Sequence, residues 1–270
     1  METLPALLLG LVQGAAEFLP ISSSAHLALA QRFLGLEEAS LSYDIMLHFA
    51  TMLATLTFFA GDTLRLLKGW ILGFFSPSGR ESEGWPFGWA VLAGTVLTGA
   101  VALPLKPLVE QAMAKPWAIG AGLLITACLL KYGSFLQADS EDSSVTPPRG
   151  LIIGLVQGIA VMPGISRSGS TIVAGMKTGL SASSAFRFSF LLSVPAIFGA
   201  TLLEVRKLVK MADWSATLPP GWIGGMAVAF VSGLLVLRVF RGLVVRGRWL
   251  PFVYYCGALG LLSLALSFSG

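Results

Sequence analysis

The sequence predicts an all-α polytopic membrane protein built as an inverted repeat, and three observations carry that reading. Of 270 residues, 55% are hydrophobic and only 12% are charged, against about 25% charged in an average soluble domain. Uncharged runs such as Trp249 to Gly270 approach the roughly 20 residues that cross a bilayer. One stretch also occurs twice: Gly-Leu-Val-Gln-Gly stands at residues 10–14 and again at 154–158. At that offset, 9 of the 18 positions from Leu9 to His26 match their partners.

The elements follow in order. Segment 4–31 is apolar but interrupted by Pro20, several glycines and a serine-rich centre. Proline and glycine break a helix, and serine hydroxyls satisfy the freed backbone groups. It is expected to be a re-entrant helix–loop–helix hairpin. Full spans follow at about 42–60, 88–105 and 117–130, the last short, closing a first repeat over 1–137. Residues 138–149, acidic and proline-containing, read as a mobile linker. The second repeat, 150–270, opens with a like hairpin at 150–176 and continues with spans at about 187–203, 221–237 and 249–268. Each half is then one hairpin plus three transmembrane helices, six full spans in total. Three crossings are an odd number, so the second half starts on the opposite side from the first. The site is expected where the two hairpin tips meet near the midplane.

The net charge of +4 is small and sits mostly in short loops. It reads as topology bias rather than as nucleic-acid binding. Loops 61–87, 131–149, 177–187 and 238–248 hold 11 Lys and Arg residues, against 6 in loops 32–41, 106–116 and 204–220. The first set is therefore expected in the cytoplasm, with both termini and the first hairpin outside. Cys128 and Cys256 lie in apolar runs, which argues against a disulfide. No basic region opens the chain, which argues against a cleaved signal peptide.

The chemistry is expected where the two copies differ. Glu17 and His26 occur only in the first, and Pro163, Gly164 and Arg167 only in the second. Gln13 and Glu17 share a helix face at i and i+4. Ser22, Ser23 and Ser24 sit at the turn, and Ser23 is close enough in sequence to meet His26. An ionisable pair inside an apolar hairpin is expensive, which favours a functional role over packing. In the second tip, Gly164, Ser166, Ser168 and Thr171 allow close backbone approach and present helix N–H groups to an anion. Arg167 adds a fork suited to phosphate oxygens. This is a phosphate cradle without the Gly-Lys-Ser/Thr ending of a P-loop. Shared residues such as Gln13 with Gln157, and Ser22 with Ser166, are expected to build the surrounding frame. Asp44 and His48, i and i+4 on the first span, are weaker candidates. No Cys/His cluster has zinc spacing.

Two motifs carry a resemblance. Gln13-Gly14 leading to Glu17-Phe18-Leu19-Pro20-Ile21-Ser22-Ser23-Ser24-Ala25-His26, and the run from Pro163 to Thr171, resemble the bacterial undecaprenyl-diphosphatase family, also known as the bacitracin-resistance protein family. That resemblance implies hydrolysis of undecaprenyl diphosphate to the monophosphate at the outer face of the bacterial inner membrane. It also implies a homodimer and a divalent cation, Mg2+ or Ca2+. Glu17, Ser23, His26 and Arg167 fall on the family's catalytic residues; Gln13, Ser22, Ser24, Gln157, Gly164, Ser166, Ser168 and Thr171 would line the substrate. The family allows Glu or Gln at the position of Gln13, so this chain retains one carboxylate, Glu17, which either orients His26 or binds the cation. Ser23 is the expected nucleophile with His26 as its base. A direct role for His26 is the alternative, and a lipid-phosphate transporter built on the same repeat is the rival function.

Overall fold

A computed structural model describes residues 3–36, 41–136, 142–210 and 218–268. Every regular element among them is a helix. The first hairpin is α1 (Thr3–Phe18) and α2 (Ser23–Phe33), and the second is α8 (Pro147–Ile159) and α9 (Arg167–Lys177). Between them lie α3 (Leu41–Phe58), α4 (Ala60–Gly73), α5 (Pro77–Glu81), α6 (Gly84–Met113) and α7 (Pro116–Gly133); after them come α10 (Ala182–Leu208), α11 (Trp222–Val245) and α12 (Leu250–Phe268). Five helices (α6, α7, α10, α11 and α12) are long and apolar enough to cross a membrane, and a sixth span results if α3 and α4 count as one bent element. The chain is a multi-pass membrane protein.

Segment 61–87, expected as a loop, is largely helical. At Phe59 the chain bends by 80° into α4, which packs back on α6. The reason is its pattern. Leu66 and Gly69 are buried on one side, while Leu64 and Ile71 remain exposed, as on an interfacial helix. Charges that were counted as loop charges instead lock this end together. Arg187 of α10 pairs with Asp62 at 3.3 Å and with Glu83, and Arg65 reaches the same two carboxylates at 2.8 Å each.

The expected linker lies partly outside the described residues. Its described part is held in place: Arg149 pairs with Asp142 at 2.7 Å, and Pro147 already opens α8.

The two hairpins pack in the same way, each against the other half. α1 lies along α11, and α8 along α6. A Cβ on Gly10 would collide with the backbone of Gly225, and one on Gly14 would meet the Ala229 carbonyl at 2.5 Å. In the second pair, a Cβ on Gly154 would collide with Gly94, and one on Gly158 would lie 3.1 Å from the Thr98 carbonyl. Gly10 and Gly14 are therefore matched by Gly154 and Gly158, and Gly225 and Ala229 by Gly94 and Thr98. Small residues at four-residue spacing let two helices touch backbone to backbone, which drives association where lipid removes the hydrophobic incentive.

Candidate active site

The site forms where the two hairpin tips meet. Pro20 stops α1, and Glu17 sits on its last turn, buried at 6% exposure. A buried carboxylate needs a counter-charge, and Arg167, the first residue of α9, pairs with Glu17 Oε1 across the tips. Ser23 Oγ donates to Glu17 Oε2 at 2.7 Å, and Gln13 Nε2 donates to the same oxygen at 3.0 Å. His48, from α3, brings Nε2 to 3.5 Å of Oε2. Its Nδ1 lies 2.8 Å from the Asp44 carbonyl. That carbonyl can only accept, so Nδ1 donates and Nε2 attracts Glu17 only when it too carries a proton. Four elements, α1, α2, α3 and α9, thus converge on one carboxylate.

The first tip is strained. Ser22 has φ 70°, the sole positive φ outside glycine among the described residues. It stands at the N-cap of α2 without capping any N–H; its hydroxyl lies 3.2 Å from that of Ser24. Its carbonyl is held by the His26 backbone N–H at 3.2 Å and by His26 Nδ1 at 2.8 Å. His26 therefore does not hydrogen-bond to Ser23 as expected. The turn that lifts Ser23 towards Glu17 sends the imidazole the other way, and His26 Nε2 meets the hydroxyl of Tyr255 at 2.7 Å.

The backbone turn of the second tip is well satisfied. Gly164 has φ 85°, and a Cβ there would collide with the Ile119 carbonyl on α7. Thr126 donates to the Gly164 carbonyl and accepts from the Ser166 N–H, both at 2.8 Å. Ser166 Oγ caps α9 by accepting from Gly169 N–H at 3.2 Å. Ser168 donates to the Leu19 carbonyl at 3.3 Å, tying the tips together. Thr171 donates to the Arg167 carbonyl at 2.8 Å and meets Ser189 at 2.6 Å. Gln157, the twin of Gln13, lies elsewhere: its amide donates to Thr98 of α6 at 3.1 Å.

Several buried polar atoms near the tips have no partner: Gln13 Oε1, Arg167 Nη1 and Ser170 Oγ. Such orphans cost free energy and mark places a ligand can fill. Arg167 spends one arm of its fork on Glu17 and leaves the other buried without a partner. For a cation, the described residues hold no group of three His, Cys, Asp or Glu. They do offer Glu17 and the orphaned Gln13 oxygen, a sparse pair of the kind magnesium accepts when phosphates complete its shell.

The family described as Bacitracin resistance protein BacA matches residues 6–262. The chain belongs to that family. The matched stretch takes in both hairpins, and so Glu17, Ser23, His26 and Arg167. A relative from Methanosphaera stadtmanae named undecaprenyl-diphosphatase is 37% identical, over 99% of this chain and 99% of its own length. One of the same name from Desulfosudis oleivorans is 39% identical over 98% of each chain. Another from Treponema denticola is 38% identical over 100% of this chain and 99% of its own.

His48 stands nearer the site than a weaker candidate should, and its signal in the sequence was an ionisable residue inside a span. Thr51, which lies 3.4 Å from Gln13 Nε2, and Tyr255 carried no signal apart from other apolar-segment residues.

Proposed function

We propose that this membrane-embedded protein hydrolyses undecaprenyl diphosphate to undecaprenyl phosphate and inorganic phosphate, recycling the lipid carrier and so conferring bacitracin resistance. The observation that carries this reading is the buried, unpartnered arm of Arg167 near a serine already hydrogen-bonded to a carboxylate. The diphosphate enters between the tips with its prenyl tail among the spans. Arg167 Nη1 and the leading N–H groups of α9 hold the terminal phosphoryl oxygens as charge redistributes.

Ser23 Oγ attacks the terminal phosphorus and passes its proton to Glu17; the bond to the bridging oxygen breaks and undecaprenyl phosphate leaves. Protonated Glu17 releases its hold on Arg167, whose whole fork then faces the phosphoryl group. Water next attacks phosphoserine and its proton is taken up at His26 Nε2 through the hydrogen bond made there, while Glu17 returns its proton to Ser23 and inorganic phosphate departs. Glu17, rather than His26, is thus the base for Ser23, because that is where the hydroxyl donates. Glu17 and Gln13 Oε1 would hold a Mg2+ or Ca2+, which on binding supplies neutralising charge to the diphosphate.

Three further parts belong to the same reading. The halves are inverted repeats, which the matched glycine contacts of α1–α11 and α8–α6 support. The protein sits in the bacterial inner membrane with its site facing outward, which the Lys and Arg balance supports. It acts as a homodimer, which rests on the family resemblance. A transporter on this architecture would need Arg167 but not a serine poised on a carboxylate, so the Ser23–Glu17 bond favours the hydrolase.

Phosphate release from undecaprenyl diphosphate by the purified protein is the test. Release should fall on adding a chelator, and acid quenching of turnover should trap phosphoserine at Ser23. A chain that releases phosphate undiminished after Ser23→Ala would sink the nucleophile assignment.

A further inference from the structure

Both ring nitrogens of His26 are engaged. Nδ1 lies 2.8 Å from the Ser22 carbonyl, which can only accept, so Nδ1 carries the hydrogen. The neutral ring then has its lone pair on Nε2, and that nitrogen lies 2.7 Å from the hydroxyl of Tyr255. The two rings also stack, with centroids 5.6 Å apart and planes at 15°. Tyr255 stands 229 residues further along the chain, on α12. Its neighbour Cys256 is buried with Sγ 3.7 Å from the Pro20 carbonyl. Two adjacent residues of the last helix therefore grip the strained first tip.

We propose that Tyr255 positions His26 and relays a proton to it in the phosphatase reaction. By donating to Nε2 at 2.7 Å it fixes the ring plane of His26 and stands between the ring and the attacking water, so that the water's proton goes to the Tyr255 oxygen as the Tyr255 hydrogen passes to Nε2. This rests on the base role given to His26 in the second half-reaction. Burial does not explain the contact, because Tyr255 is 46% exposed and its hydroxyl could reach water or lipid headgroups instead. The stacking alone would need only the ring.

Tyr255→Phe keeps the ring and removes the donor. The chain has 2 histidines, so the protein labelled with 15N-histidine gives a spectrum in which His26 and His48 are separable, with His48 as the internal control. In the variant the His26 Nε2 resonance should move towards that of an unbonded nitrogen while His48 stays in place. Turnover should fall about tenfold, the scale of one lost hydrogen bond, at unchanged KM. An unmoved His26 resonance overturns the hydrogen bond. A moved resonance with undiminished kcat overturns the positioning role. A wild-type protein that releases no phosphate would instead sink the hydrolase reading, with the resonance still reporting the contact.

Discussion

The two hairpins are built from one template and used for opposite ends. Ser22 and Ser166 occupy the same place in the repeat. Ser166, with φ −73°, caps its helix through Gly169. Ser22, with φ 70°, caps nothing. Gln13 turns its amide to Glu17, whereas Gln157 turns its amide to a threonine on a neighbouring span; the side-chain oxygen of each is without a partner. The second hairpin is thus a settled platform, tied down through Thr126 and Gly164, that presents one cation. The first is a strained tip that presents the reactive hydroxyl. Strain held by surrounding structure is a frequent mark of a working site, and here it falls on one copy of a shared motif.

The Glu17–Arg167 pair is the sharpest point at which to break this contrast. Arg167→Ala should lower kcat by about 10²–10³-fold, as when one donor to a developing charge is lost. It should also destabilise the protein by about 3–5 kcal/mol, because Glu17 is left buried without its partner. Phosphate release and thermal unfolding in detergent measure the two effects separately. In Glu17→Gln/Arg167→Gln, stability should return while activity stays lost. Recovery of both would mean that the pair is only a brace.

Much of this was legible in the sequence, for physical reasons. Hydropathy and the repeated Gly-Leu-Val-Gln-Gly are strong local signals, and the two broken segments that they mark are the helix pairs α1–α2 and α8–α9. Glu17 and Arg167 stood out because each is costly in an apolar segment. What was hidden depends on backbone path. The direction of the His26 ring is set by the φ of Ser22, which no residue type announces. The helical character of 60–73 was masked by its charges, whose partners Glu83 and Arg187 lie on other elements. Gln157 has the same flanking sequence as Gln13, and only its neighbours across the interface tell the two apart.

Gln13 and Gln157 test the contrast at the next scale. Gln13→Ala should reduce turnover by about tenfold, since it removes one hydrogen bond to the reacting carboxylate. Gln157→Ala should leave turnover near wild type and cost about 1–2 kcal/mol of stability, with Thr98 losing a buried partner. Equal kinetic loss in both would overturn the assignment of Gln157 to the frame.

The smallest difference is expected where the copies are most alike. Gly10→Ala and Gly154→Ala should each destabilise by about 1–3 kcal/mol, because both thrust a methyl group into the backbone of a facing helix. Matched losses in melting temperature would sharpen the equivalence of the two packings. A change tolerated at one glycine alone would argue against it.

The ion pair across the tips also bears on how the protein is made. Glu17 emerges from the ribosome 150 residues ahead of Arg167. Through that interval the first hairpin holds a carboxylate with no guanidinium to meet it, and seating a charge in hydrocarbon without a partner is costly. The hairpin therefore has reason to wait at the membrane surface until the second half arrives. Chains halted before residue 167 should show a cysteine placed at position 18 open to water-soluble thiol reagents, and complete chains should show it closed.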